Sequence, residues 1–467
     1  MRAYRVLIPT VALLASAAVA SASPAQPADG GRVVPVSAIG MKQSFAPIVK
    51  RAAPAVVNIS SKRTVRQRVD PFWQALGMGV PRSRVEGSLG SGVIVRSDGV
   101  IVTNNHVIAG GEEITVALSD RREFLAKVLL ADERTDLAVL KIELPAGEKL
   151  PVMAISERTD AQVGDLVLAI GDPFGVGQTV TNGIISATNR TANPDGDGGA
   201  FIQTDAAINP GNSGGALVSM DGDLLGVNSF IYSQSGQSSG IGFAIPAVVV
   251  RRIVETAMGG GRSVVRPWLG ARLQSVTPEI AKSKGLATPS GAVIAEVWPE
   301  GAAARAGLRQ GDVVTAVDGA PVVDAAALNY AFRTHRPGET LRIGLRRGGA
   351  EQAVSVRAEA APATPARDEH LIAGRNPFQG ATVVNLSPAV AEEAGVDPFA
   401  RTGVMVTKTA DGAARRLGMQ PGDIIRAVHG RGIKSVTDLT NAVVVPMPVW
   451  QLTIERNGRE LTTTVAA

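Results

Sequence analysis

The stretch "AINPGNSGGALVSMDGDLLGVNS" (residues 207–229) sets one serine, Ser213, between Gly-Asn and Gly-Gly, ahead of two apolar runs separated by an Asp-Gly turn. Glycine loses more conformational freedom on folding than any other residue, so a cluster of glycines marks a backbone pose that other residues rarely adopt. Two readings compete: the approach loop of a hairpin, or a nucleophile held in a sharp turn with free backbone N–H groups beside it. G-x-S-x-G also describes a nucleophile elbow, which needs strand, turn and helix in succession, with acid and histidine after the serine. Here the serine is followed by a hairpin pattern, and the only histidines downstream lie in a duplicated region. The elbow reading fails.

The opposite order is present upstream. His106 lies in "VIVTNNHVIAG", where a strand-like run gives way to a loop, and Asp136 lies in "DERTDLAVLKI", directly before another run. Histidine, aspartate, serine is the chymotrypsin-like order. A serine hydroxyl is a weak nucleophile near neutrality. It needs an imidazole to take its proton and a carboxylate to hold that imidazole in the right tautomer. The tetrahedral oxyanion needs N–H donors, which a glycine-rich turn aims from Gly211 and Ser213, with Asn212 between them. Asp132 is a rival for the carboxylate, further from the strand. Taken singly, each residue has a bland structural account; in this order on a β-rich chain they are expected to form a triad.

Composition sets the bounds. The chain has 467 residues, 45% hydrophobic and 19% charged, enough for two to four globular domains. Its 52 Gly and 28 Pro favour a turn-rich β fold. A net charge of +5 without basic runs interleaved with aromatics gives no support to a nucleic-acid partner. No cysteine is present, which excludes disulfides and thiolate chemistry, and the four widely spaced histidines (His106, His335, His370, His429) show no metal-binding pattern. No metal or cofactor is expected, and no phosphate loop for ATP occurs. Arg2 and Arg5, the apolar run 6–20 and "AVASAS" read as an export signal over residues 1–22, too short to span a bilayer. A flexible leader, 23–43, follows. A periplasmic protein with no membrane span in its mature chain is expected.

From residue 44 onward, short β-type runs ("PAVVNIS", "SGVIVRSDGVIVTNN", "LAVLKI", "DLVLAIG", "DLLGVNSFIY") alternate with turns, the pattern of an all-β barrel or sandwich. A helix is predicted over residues 244–258, ending at "GGGR". Then "AGLRQGDVVTAVDG" (306–319) aligns without a gap to "LGMQPGDIIRAVHG" (417–430), an offset of 111 residues. That period is too long for a solenoid and indicates a duplicated domain. An Ala/Pro-rich linker separates the copies.

The motifs "TNNHVI", "RTDLAVLKI", "GDPFGVGQTVTNGIIS", "FIQTDAAINPGNSGGALV" and "GIGFAIP", with the two G-D repeats, resemble the HtrA (Deg/Do) family of exported serine proteases over nearly the whole chain after the signal. The resemblance implies an all-β, chymotrypsin-like double-barrel protease domain over 44–258 and two small, circularly permuted α+β PDZ domains. Their expected bounds are 259–360 and 373–467, with a linker at 361–372. It implies His106 as general base, Asp136 as its orienter, Ser213 as nucleophile, and the Gly211 and Ser213 amides as oxyanion hole. Ala207, Ile208, Ile241 and Phe243 are the expected specificity pocket, apolar and modest, favouring cleavage after small aliphatic residues. Segments 189–200 and 232–240 sit where the family has regulatory loops. The insertion containing "DPFWQALGMG" is short. Trp268-Leu269-Gly270 and Phe378-Gln379-Gly380 occupy the carboxylate-loop positions of PDZ domains, which take an extended peptide as an added strand. For the second copy, peptide binding and core packing of its aromatic ring stay open. The implied partners are unfolded polypeptides, C-terminal peptides at the first PDZ domain, and further copies of the chain in trimers or their multiples. The alternative function is an envelope chaperone or holdase with proteolysis secondary.

Overall fold

The valine- and isoleucine-rich runs of the first half pair into two closed six-stranded barrels, as their β-branched composition favours. In this computed structural model the described residues are 44–66, 83–157, 161–173, 177–191, 200–209, 211–231, 239–261, 263–399 and 402–466. The expected signal and leader, the "DPFWQALGMG" insertion and the tips 192–199 and 232–238 of the two expected regulatory loops lie outside them. Ile48–Ala467 forms one unit by its contacts.

The first barrel contains β1 (Val56–Arg66), β2 (Ser83–Arg96), β3 (Val100–Thr103), β4 (Glu113–Ala117), β5 (Glu123–Asp132) and β6 (Leu137–Ile142) in the order β1-β2-β3-β6-β5-β4. β4 closes it on β1, Ile59 facing Val116. The second contains β7 (Leu166–Gly171), β8 (Thr179–Thr191), β9 (Ala200–Thr204), β10 (Ala216–Ser219), β11 (Leu224–Ile231) and β12 (Gly242–Pro246). Its order, β7-β8-β9-β12-β11-β10, repeats the topology of the first, closed by β7 on β10. Every residue of β3 and β10 is buried, so these strands are covered on both faces and show no polar alternation.

The helix expected from residue 244 begins at Ala247 and runs to Met258. Ala244, Ile245 and Pro246 belong instead to β12, paired with Asn228, Val227 and Gly226. Proline disfavours helical backbone in the residue before it, which keeps Ile245 extended and starts the helix after Pro246.

Two similar sheets follow. The first orders β13 (Ala271–Ser275), β14 (Ala292–Val297), β15 (Val313–Val317), β17 (Thr340–Arg347) and β18 (Ala350–Arg357), with β16 (Ala320–Pro321) on β15. The second orders β19 (His370–Leu371), β20 (Ala381–Asn385), β21 (Val404–Thr409), β22 (Ile424–Val428), β24 (Val449–Arg456) and β25 (Arg459–Ala466), with β23 (Arg431–Gly432) on β22. The sequence repeat reappears as a repeated ion pair. Asp312 accepts from Arg347 at 2.7 Å and from the Arg309 N–H, while Asp423 accepts from Arg456 at 2.6 Å and from the Gln420 N–H. Both carboxylates are buried. Each module packs its own core, around Phe332 and Leu341 in the first and Phe378 and Trp450 in the second. The second sheet starts at His370, ahead of the boundary expected at 373. Among the described residues no helix is long and apolar enough to cross a membrane.

Candidate active site

His106 and Asp136 come from the first barrel and Ser213 from the second. His106 sits in the short helix Asn105–Ile108 just after β3, and Asp136 is the residue before β6. β3 and β6 are paired, Thr103 opposite Ala138, so strand pairing alone brings the two loops together. Asp136 adopts a left-handed backbone (φ 54°), uncommon for a residue with a side chain and best tolerated by Asp and Asn. Its carbonyl accepts from the Asn105 N–H (3.1 Å) and from Asn104 Nδ2 (2.8 Å), which fixes the turn.

The Asp136 carboxylate is saturated with donors. His106 Nδ1 lies 2.9 Å from Oδ1 and 2.8 Å from Oδ2, the His106 main-chain N–H donates to Oδ1 at 3.0 Å, and Ser229 Oγ donates to Oδ2 at 2.8 Å. With the carboxylate facing Nδ1, the proton-bearing tautomer is Nδ1–H, which leaves Nε2 as the acceptor. The rival Asp132 is engaged elsewhere: it accepts from the Thr135 hydroxyl (2.5 Å) and pairs with Arg266.

The turn carrying Ser213 is held from the first barrel. Ser91, fully buried on β2, donates its N–H to the Ser213 carbonyl (2.8 Å) and its hydroxyl to the Gly211 carbonyl (2.6 Å), and accepts from the Asp172 N–H (2.8 Å). A Cβ on Gly214 (φ 82°) would stand 2.1 Å from the Ser91 carbonyl oxygen, and one on Gly211 (φ 99°) 2.3 Å from Pro173. Close approach as well as conformation therefore requires glycine at both. The Asn212 N–H donates to Asn209 (3.0 Å). Among the described residues the Gly211 and Ser213 N–H groups have no acceptor, and Ser213 Oγ makes no hydrogen bond, to His106 or to any other group. The site thus offers two unengaged amides on either side of Asn212 and a half-exposed imidazole.

The four expected pocket residues divide. Ile208 is 1% exposed and packs in the second barrel core with Val167, Ala169 and Leu217, against Gly242. Phe243, the next residue along β12, points to the opposite face and stacks on Phe230 at 4.9 Å, with Phe201 edge-on. Ala207 and Ile241 keep exposed surface. Sequence reasoning missed Ser229, Asn104 and Ser91. The available signal was a polar residue inside an otherwise apolar buried strand, as in "LLGVNSFI".

The expected peptide loops also differ from each other. Trp268 and Leu269 are buried, and the Trp268 ring packs edge-on against Trp298 (5.9 Å) and against Phe399 (5.8 Å) of the second module. The Leu269 and Gly270 N–H groups have no acceptor among the described residues. A cavity of about 560 Å³ opens beside them, walled by β13, by the helix Ala325–Thr334, by the helix Ala247–Met258 and by residues 395–399. In the second module Phe378 is fully buried core, Gln379 is exposed, and the Phe378, Gln379 and Gly380 N–H groups are all engaged. Among the described residues no group of His, Asp and Glu is placed to hold a metal ion.

Comparison with known proteins agrees with this architecture. Residues 90–227 match the trypsin-like peptidase domain and residues 267–357 the PDZ domain. A probable periplasmic DegP-like serine endoprotease of Marinomonas sp. (strain MWYL1) is 38% identical over 437 residues, covering 87% of this chain and 90% of its own length. One from Halomonas elongata is 39% identical over 424 residues, covering 85% and 87%. Among solved structures, the HtrA-type protease AlgW with decapeptide is 42% identical with a TM-score of 0.52, covering 68% of this chain and 99% of that one. AlgW with tripeptide gives 43% and 0.53, covering 68% and 98%. Similarity of that extent, along both the barrels and the region after them, places the chain in the DegP-like, HtrA-type family of periplasmic serine endoproteases.

Proposed function

We propose that the chain is an ATP-independent endopeptidase that cleaves unfolded envelope polypeptides through an acyl-enzyme at Ser213, and that a peptide bound to its first PDZ module regulates it. Ser213 Oγ attacks the scissile carbonyl while His106 Nε2 takes the hydroxyl proton. Asp136, accepting from Nδ1–H, stabilises the imidazolium that forms. The carbonyl oxygen becomes an oxyanion received by the Gly211 and Ser213 N–H groups. The C–N bond breaks as His106 gives its proton to the leaving amine, and a water activated by the same imidazole hydrolyses the ester. The single observation that carries this reading is the Asp136 carboxylate, which meets Nδ1 of His106 while two unengaged amides flank the serine turn.

Ala207 and Ile241, apolar and partly exposed, support cleavage after small aliphatic residues. Regulation by peptide is supported by the unengaged Leu269 and Gly270 amides and by a short polar path to the triad. Arg266, two residues before Trp268, pairs with Asp132, whose carboxylate also holds Thr135 beside Asp136. Arg134, in the same turn, donates to the Glu392 carbonyl and lies 3.6 Å from its carboxylate, which also pairs with Arg333 at 3.1 Å. Burial, then the nearby Arg266 and Arg333 charges, depress the Arg134 pKa, as expected for cations crowded at a closed junction. The solved AlgW relatives hold a decapeptide and a tripeptide, consistent with a peptide ligand here.

The test is cleavage of unfolded casein by the full chain and by Ser213→Ala, with and without a peptide ending in an apolar residue. Cleavage lost in the variant and raised by the peptide is expected. Equal, negligible cleavage in both with aggregation still suppressed would overturn the proposal in favour of a chaperone.

A further inference from the structure

The two modules carry the same loop and strand at the edge of their sheets, with opposite outcomes. In the first, β13 is the end strand of its sheet and the Leu269 and Gly270 N–H groups are unengaged among the described residues. In the second, β20 occupies the equivalent position but carries β19 on its outer edge. β19 runs antiparallel to β20, His370 opposite Val383 and Leu371 opposite Thr382. The pairing continues past the strand. The Ile372 N–H donates to the Ala381 carbonyl at 2.9 Å, and the Gly380 N–H donates to the Ile372 carbonyl at 3.0 Å.

This is the geometry of strand addition with a terminal carbonyl caught by a loop amide. An added peptide lies antiparallel on the strand, its last residue at the loop and its last side chain between the loop and the neighbouring helix. Ile372 fills that role: it is 2% exposed and packs with Phe378, Val383, Leu439 and Val443, the last two from the helix Val436–Val443. His370 shares its face and lines the same slot beside Thr440, while Leu371 points outward and is exposed. Asn376 Nδ2 then caps the Ala373 carbonyl (2.8 Å), turning the chain out of the slot and back to Phe378.

We infer that the peptide slot of the second module is filled by the chain's own residues His370–Ile372, an internal ligand standing in for a C-terminal peptide. Each chain then takes one external peptide, at the first module. That second clause rests on the proposed function; the first does not. A tethered segment acts at an effective concentration of about 1 mM, so for an intrinsic Kd of about 10 µM it weakens an external competitor about 100-fold.

The experiment titrates the full Ser213→Ala chain with a peptide ending in an apolar residue and a free carboxylate. Calorimetry reads stoichiometry and hydrogen exchange reads local protection. The expected result is one site per chain, with protection gained around 268–273 and residues 370–381 already protected and unchanged. Adding Ile372→Gly vacates the second slot and is expected to raise the stoichiometry by one. Two sites in the parent chain, or altered protection at 370–381 when peptide binds, overturns the inference. So does Ile372→Gly exposing 370–372 without gaining a site. If the parent chain binds no peptide, the proposed regulation through the first module fails. The internal ligand is then judged by Ile372→Gly alone: stoichiometry rising from zero to one upholds it, and staying at zero overturns it.

Discussion

Replacing Asp136 by Asn isolates what the carboxylate does, because the shape and backbone are kept. Asparagine tolerates the left-handed φ of 54°, and the side chain is isosteric. The Asp136 oxygens face three donors: the His106 main-chain N–H at Oδ1, Ser229 Oγ at Oδ2, and His106 Nδ1, which lies 2.9 Å from Oδ1 and 2.8 Å from Oδ2. The amide has one acceptor and one donor end. Keeping oxygen at Oδ1 preserves the His106 main-chain bond, and the Ser229 hydroxyl turns to accept from the new NH₂. The NH₂ then faces Nδ1 and selects the imidazole tautomer with its proton on Nε2, which does not take the Ser213 proton. Loss of the base in this way costs about 10⁴ in kcat, or about 5 kcal/mol of activation free energy. The assay is steady-state hydrolysis of a fluorogenic peptide, with thermal unfolding as control. A loss below tenfold at unchanged Tm would mean that Asp136 does not set the tautomer.

Ser91→Ala removes the hydroxyl that pins the Gly211 carbonyl and is expected to lower kcat at least about tenfold with KM nearly unchanged, since it loosens an oxyanion donor rather than substrate binding; unchanged kcat in the same peptide assay speaks against this. Arg266→Met breaks the pair with Asp132 and is expected to shrink the ratio of peptide-stimulated to basal casein cleavage, measured at saturating peptide. Arg456→Met strands the buried Asp423 carboxylate and is expected to cost about 2 kcal/mol in urea unfolding, a figure discounted because Arg456 is one-third exposed. The Asp438 carboxyl is held below its usual range by the Lys434 N–H and then by the Ser435 hydroxyl. Its contribution is therefore complete above the unfolded value of about 3.9 and is lost as pH falls through the lower folded value. Asp438→Asn is expected to flatten the acid limb of stability measured between pH 5 and 2.

Much of this was legible in the sequence for definite reasons. Order and spacing placed His106 after β3 and Asp136 before β6, two strands that pair, and Ser213 in the turn ahead of β10. The G-D repeat announced the second module because the buried Asp312 and Asp423 have the same job in both copies. What escaped depends on tertiary approach. Ser91 and Ser229 are ordinary serines until two barrels meet over them. Ile208 and Phe243 read as pocket residues by position, yet alternation along β12 and the barrel core claim them. The segment His370–Ile372 read as linker because strand addition leaves little mark on composition.

Activation of Ser213 by His106 is tested by treating the full chain with an organophosphonate that phosphonylates activated serines and locating the adduct by mass spectrometry. One adduct per chain is expected, on Ser213 and abolished by His106→Ala. An adduct on another serine, or labelling of Ser213 that survives His106→Ala at the same rate, would contradict it.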